Sequence, residues 1–182
     1  MNWIIPGTTL EIKRSDADHV GSLFASMFMA GGMVLGQVAS ITGLEPYTVQ
    51  NWVKRGFLSP PVHKRYDMGQ VCRIININML KSVLPMEQIC GLLGYINGDL
   101  DDESDDIIDD SQLYFMFIRL VSNYAVMHDP RGRDEIIARE LDGYQEPMPG
   151  ARDRVEKVLR IFITAWASAQ LRRLTEQMVA QL

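Results

Sequence analysis

The feature that most constrains this chain is a break. Thr42-Gly43-Leu44, followed by Glu45-Pro46, separates two short stretches of helical periodicity. Val38, Ala39 and Ile41 give the first stretch its apolar face. Gly43 tolerates the left-handed backbone that a helix stop requires, and Leu44 is placed to fold back onto the core. Pro46 suits a first helical position, where its fixed φ and missing donor do no harm, so a second helix is predicted from Glu45 or Pro46 to Arg55. On that helix Val49, Trp52 and Val53 share one face, with Trp52 assigned to the core. Tyr47, Thr48, Gln50, Asn51 and Lys54 lie near the other. The outward groups are hydroxyls, amides and a cation, which are the groups that read base edges and phosphates. Gly56 closes the helix. Phe57-Leu58 and Val62 are predicted as two arms of a small β-wing around Ser59-Pro60-Pro61, with His63-Lys64-Arg65-Tyr66 returning as a basic strand with an aromatic tip.

The order helix, Thr-Gly-Leu, Pro-x-Thr-Val, aromatic, Lys-Arg-Gly-Phe-Leu, Pro, Arg-Tyr, then a helix entered through an acidic residue, resembles the DNA-binding domain of the MerR family of bacterial transcription regulators. The segments QNWVKRG, RIININML and YING are similar to an uncharacterised bacterial family that carries such a domain and has no assigned function. The first resemblance covers the middle third of the chain and the second about two thirds. In two respects the chain departs from MerR regulators. Gln50-Asn51-Trp52 stands where they carry Arg-Tyr-Tyr or Arg-Tyr-Trp, and the wing lacks their longer Gly-rich tip. The resemblance implies a winged helix-turn-helix that binds DNA, with Tyr47, Thr48, Gln50 and Asn51 in the major groove. Lys54, Arg55, Lys64 and Arg65 would lie on phosphates, with His63 and Tyr66 positioning the wing.

Charge is segregated along the chain. The formal total of −5 argues against non-specific coating of nucleic acid, yet from Gly31 to Tyr95 six cations face three acids. From Ile96 to Ser111 there are eight acids and no base. This run is read as a solvated acidic linker whose last acids favour the N-terminus of the following helix. A calcium loop is excluded, because a loop starting at Asp99 has Ser104 at its sixth position and Asp110 at its twelfth, where Gly and Glu are needed. The expected organisation is therefore 1–95, an N-terminal helix plus the winged domain; 96–111, the linker; and 112–182, a helical region.

Val20 to Leu44 carries no charge, but Gly31-Gly32 and scattered Ser, Thr and Gln argue against a membrane span. An amphipathic helix from Asp16 to Ala30, bearing Leu23, Phe24, Met27 and Phe28, is predicted instead, with Ser15 as a candidate cap. No signal peptide is evident, and a cytoplasmic protein is expected. Asp67 is placed to cap an interior helix reaching Ser82, with Arg73 and Lys81 as its exposed cations, and Pro85 opens a shorter helix that ends before Gly94. Leu113 to Met127, including Tyr124, Arg133 to Leu141, and Ala151 to the end follow as helices. In the last of these Val155, Leu159, Phe162 and Trp166 form a seam assigned to homodimerisation.

Catalytic motifs are absent. His19, His63 and His128 stand apart, there is no nucleophile elbow, P-loop or dinucleotide fingerprint, and no metal or cofactor is expected. Cys72 and Cys90 read as buried free thiols. The fold class expected is mainly α: a winged helix-turn-helix with a small β-wing, then C-terminal helices. The function expected is a homodimeric regulator binding double-stranded DNA, with an effector, small molecule or protein, as a further partner. The competing reading is a protein-interaction adaptor that uses the winged fold without sequence-specific DNA binding.

Overall fold

The computed structural model describes residues 2–98, 100, 102–123, 126 and 129–182. Asp99, Tyr124, Met127 and His128, which figured in the sequence reading, lie outside the described residues. The architecture is mainly helical with two small two-stranded sheets. β1 (Asn2–Ile4) and β2 (Glu11–Lys13) form an antiparallel hairpin, followed by a 3-10 turn (Arg14–His19) and α1 (Val20–Met27). Then come β3 (Met33–Val34), α2 (Leu35–Thr42), α3 (Pro46–Lys54), β4 (Arg65–Tyr66), α4 (Met68–Leu80), α5 (Met86–Asn97), α6 (Asp110–Ser122), α7 (Pro130–Glu140) and α8 (Ala151–Val179). No helix among the described residues is long and apolar enough to cross a membrane.

α4 is the axis of the core. Asp67 and Gln70 close a reciprocal capping box: the Asp67 carboxylate accepts from the Gln70 amide at 2.8 Å, and the Gln70 side chain accepts from the Asp67 amide at 3.1 Å. Beyond that start Val71, Cys72, Ile74, Ile75, Ile77 and Leu80 are fully buried, because α4 is covered on several sides by α2, α5, α6 and α8. Asp109 starts α6 by accepting from the Ser111 and Gln112 amides at 2.8 and 3.1 Å. Phe24, Tyr114 and Phe115 stack tilted and edge-on with centroids 5.4 to 6.0 Å apart, joining α1 to α6, and Phe117 meets Phe162 of α8 at 5.8 Å.

Several expectations are corrected by this packing. The seam assigned to homodimerisation lies inside the chain: Val155, Leu159 and Phe162 are fully buried against the α6 side of the core, and Trp166 is half-buried. Burying Phe162 in this way contributes roughly 1.5–3 kcal/mol, which makes the seam a folding device. The acidic segment does not separate two cores. Ile96, Ile107 and Ile108 are buried in the same cluster as residues from both halves, and the Ile107 amide donates to the Ile96 carbonyl at 2.9 Å. α5 runs through Gly94 to Asn97. The N-terminal helix is shorter than predicted, since Ser15 bonds the Asp16 side chain instead of capping, and the residues before it pair as β1 and β2. Arg73, expected on the surface, is buried.

Candidate nucleic-acid interface

α2 and α3 meet across a turn that is fixed from three directions. Gly43 adopts φ +67° and donates its amide to the Ala39 carbonyl at 2.9 Å, which ends α2. The Thr42 hydroxyl donates back to Val38 at 2.7 Å and accepts the Leu44 amide at 3.3 Å, and Leu44 is buried. The remaining carbonyls at the end of α2 are met from elsewhere in the chain. The Thr9 amide donates to Ile41 at 2.7 Å, and the Asn78 amide group of α4 donates to Thr42 and Gly7 at 2.9 Å each. Gly7 has to be glycine, because a Cβ there would lie 2.7 Å from the Ile75 carbonyl. The N-terminal hairpin therefore braces the turn against α4.

α3 is held at its far end as well. Its last turn hands over to Phe57, whose amide donates to Trp52 at 2.9 Å and whose carbonyl accepts from Arg73 Nε at 3.2 Å. Gln70 Nε2 reaches Ser59 Oγ at 2.9 Å and the Pro60 carbonyl at 3.1 Å. Val49 and Trp52 are buried below the helix. Above it Tyr47 is 75% exposed, Gln50 and Lys54 are exposed, and Thr48 and Asn51 are half-buried. Arg55, just past the end, is exposed with its guanidinium 4.6 Å from the Phe57 ring centroid, a contact that orients the cation without neutralising it.

The predicted wing forms differently. Pro60 and Pro61 have no amide to give to a ladder, and Leu58 is buried in the core, so Phe57-Leu58 is not a strand. Arg65 and Tyr66 pair instead with Val34 and Met33, the residues that lead into α2. The projecting element is a two-residue turn, His63-Lys64, bridged by Val62 and Arg65, with left-handed φ values of +49° and +63°. His63, Lys64 and Arg65 are exposed, and Arg65 donates to the Gly32 carbonyl at 2.8 Å. Tyr66 is only 3% exposed, and burial raises its phenol above the ordinary value. It faces inward opposite Met33 and has no part in an outer surface, which corrects its assignment to the wing. Both α3 and β4 are seated on α2.

Asn78 was missed by sequence reasoning, although its signal was present. An amide inside the apolar run of α4 has to find partners, and the carbonyls it serves are those of the turn. Among the described residues no group of three or more His, Cys, Asp or Glu is arranged to hold a metal ion.

Comparisons with known proteins bear on this region. Residues 33–117, from β3 into α6, match the model of a domain of unknown function, DUF1836. The chain is 32% identical over 78 residues to the uncharacterized protein YkrK of Bacillus subtilis (strain 168), an overlap of 41% of this chain and 34% of that protein. The chain thus spans about a third of the length of the curated relative it matches. No solved structure matches. These findings overturn the MerR resemblance, since the matched model is a domain of unknown function and the relative is uncharacterised. The physical reason is that the Thr-Gly-Leu stop, the Pro at a helix start and the Lys-Arg-Gly end are what any two short helices joined by a tight turn require.

Proposed function

We propose that α2 and α3 act as a helix-turn-helix that binds double-stranded DNA, with the 62–65 turn as a minimal wing, and that the protein regulates transcription from the cytoplasm without enzymatic activity. The observation that carries this reading is the outer surface of α3 and its flank. Tyr47, Gln50 and Lys54 stand clear of the body on a helix fixed at both ends, followed by Arg55; Arg65 belongs to β4, which packs on the same supporting helix, and Lys64 is exposed in the turn that leads into it. A Gln or Asn amide in the major groove discriminates adenine by about 1–3 kcal/mol in a good bidentate contact, and cations outside the core supply phosphate binding. A homodimer reading paired half-sites fits the helical ends left in solvent, because Leu171, Leu174 and Met178 of α8 are exposed on its last turns.

The test is selection of bound genomic fragments by the full chain at two salt concentrations. A two-fold-symmetric motif is expected, with affinity that falls steeply as salt rises. Well-folded protein with no salt-linked DNA affinity would overturn the reading and leave the winged body as a protein-interaction module.

A further inference from the structure

α8 leaves the body of the protein partway along its length, and a cleft opens where it departs. Phe162, Ile163 and Ala165 are buried, Trp166 is half-buried, and from Leu171 onward the helix stands in solvent. On the other side, the N-terminal hairpin is held to α4 by Asn78, whose amide group donates to the Gly7 carbonyl at 2.9 Å. Helix and hairpin leave between them a cavity of about 540 Å³ over the end of α4.

The lining has a consistent chemistry. Trp3 and Trp166 are half-buried, pack against the core and line the cavity. No carboxylate lines it, and Arg173 of α8 is the one charged side chain in the wall among the described residues. Arg152, Arg160 and Arg172 of the same helix each hold a carboxylate, at 3.2, 2.6 and 2.9 Å. Arg173 is exposed and has no such partner among the described residues. The neighbouring hollow shares Ser82 and Arg173 and adds Lys81 and Arg172 against Glu176 alone, so the mouth is positive in a chain whose net charge is −5.

We propose that this cleft binds a small aromatic carboxylate, its acid group on Arg173 and its ring on the indole surfaces of Trp3 and Trp166, and that the bound molecule stiffens the brace of the α2–α3 turn. The volume, the apolar walls and the single placed charge suit a small organic ligand. A guanidinium fork takes a carboxylate through two N–H bonds, and indole surfaces take a flat ring. An organic cation would meet Arg173 with no acid to receive it. The link to the turn is direct: Thr8 and Asn78 line the cavity, Asn78 also donates to the Thr42 carbonyl, and Thr9 donates to Ile41. The site stands whether or not α3 reads DNA, and it is tested without DNA.

The experiment measures thermal unfolding and calorimetric binding of the full chain with indole-3-acetate and benzoate as probes, and with tryptamine and sodium acetate as controls. A saturable rise in Tm with at least one of the two aromatic acids is expected, and none with either control. Ala169→Glu places a carboxylate one turn before Arg173, where the pair neutralises the guanidinium without entering the core. It should weaken probe binding by roughly tenfold or more, the scale of one charge-assisted contact, and Arg173→Gln should do the same. Trp166→Leu should weaken binding as well, and if that variant fails to fold the other two still decide. With probe at saturation, amide hydrogen exchange at Thr9 and Leu44 should slow more than in α6. No saturable response to either aromatic acid in folded protein would overturn the proposal. So would binding that Ala169→Glu and Arg173→Gln leave intact, tryptamine binding that equals that of indole-3-acetate, or bound probe that leaves exchange at Thr9 and Leu44 unchanged.

Discussion

Arg65 and Arg73 stand on either side of the start of α4 and are chemically identical, yet they belong to different kinds of region. Arg65 is exposed, gives one hydrogen bond to a backbone carbonyl, and leaves most of its guanidinium free for a partner. Arg73 is buried and spends its donors on Asp110 and on the Phe57 carbonyl, so its charge does internal work by tying α4 to α6 and to the loop after α3. The exposed region keeps cations that cost the fold nothing. The buried region uses charge to fix position, at the risk of a large loss if either partner goes. A sequence shows the same residue type in both places, and what separates them is whether an acid is delivered beside it.

The sharpest way to break this comparison is Arg73→Met. It orphans a buried carboxylate and should cost about 3–5 kcal/mol in urea unfolding, most of it recovered when Asp110→Leu is added. A near-neutral single variant would mean that water reaches the pair. Next in size is Leu159→Ala in α8, expected to cost about 2–5 kcal/mol with no change in the oligomeric state measured by sedimentation, because that side chain is interior. Asn78→Ala leaves the Thr42 and Gly7 carbonyls short of a donor and should cost roughly 1–3 kcal/mol, read from the same unfolding curves. Smallest in stability is Lys54→Ala combined with Lys64→Ala. The change should stay within about 0.5 kcal/mol, while DNA affinity falls and its salt slope drops by roughly two. Loss of stability without loss of salt slope would place these cations with Arg73 rather than with Arg65. A thiol assay gives an independent mark of the interior. Burial pushes the Cys72 thiol well above its ordinary value, so native alkylation should label Cys90 first and reach Cys72 only on unfolding.

Local chemistry made much of the helical framework readable. The Gly43 stop, the Pro46 start and the Asp67 cap each act through neighbouring backbone, so a short window of sequence contains the whole cause. The outward side of α3 was readable for the same reason, since helical spacing alone separates Tyr47 and Lys54 from Val49 and Trp52. The features that escaped depend on distant partners. β1 and β2 are three residues each, too short for an alternation to register. β4 pairs with residues that precede α2, and no local signal names that partner over Phe57-Leu58. Asp110 looked like one more acid in a solvated run, and its burial follows from Arg73, Asn76 and Asn97, which come from two other helices. The C-terminal seam was correctly apolar, but periodicity cannot say whether a seam closes on its own chain or on another.

The hydroxyl of Tyr114 donates to the carbonyl of Pro6 at 2.8 Å, across 108 residues of chain. During synthesis that donor leaves the ribosome about 5–20 s after its acceptor, at elongation rates of roughly 5–20 residues per second. For that interval the opening hairpin has no α6 to rest on, and Ile5 has no finished core to enter. The hairpin is made before α6 and secured only after it, so birth order and folding order run in opposite directions across this contact.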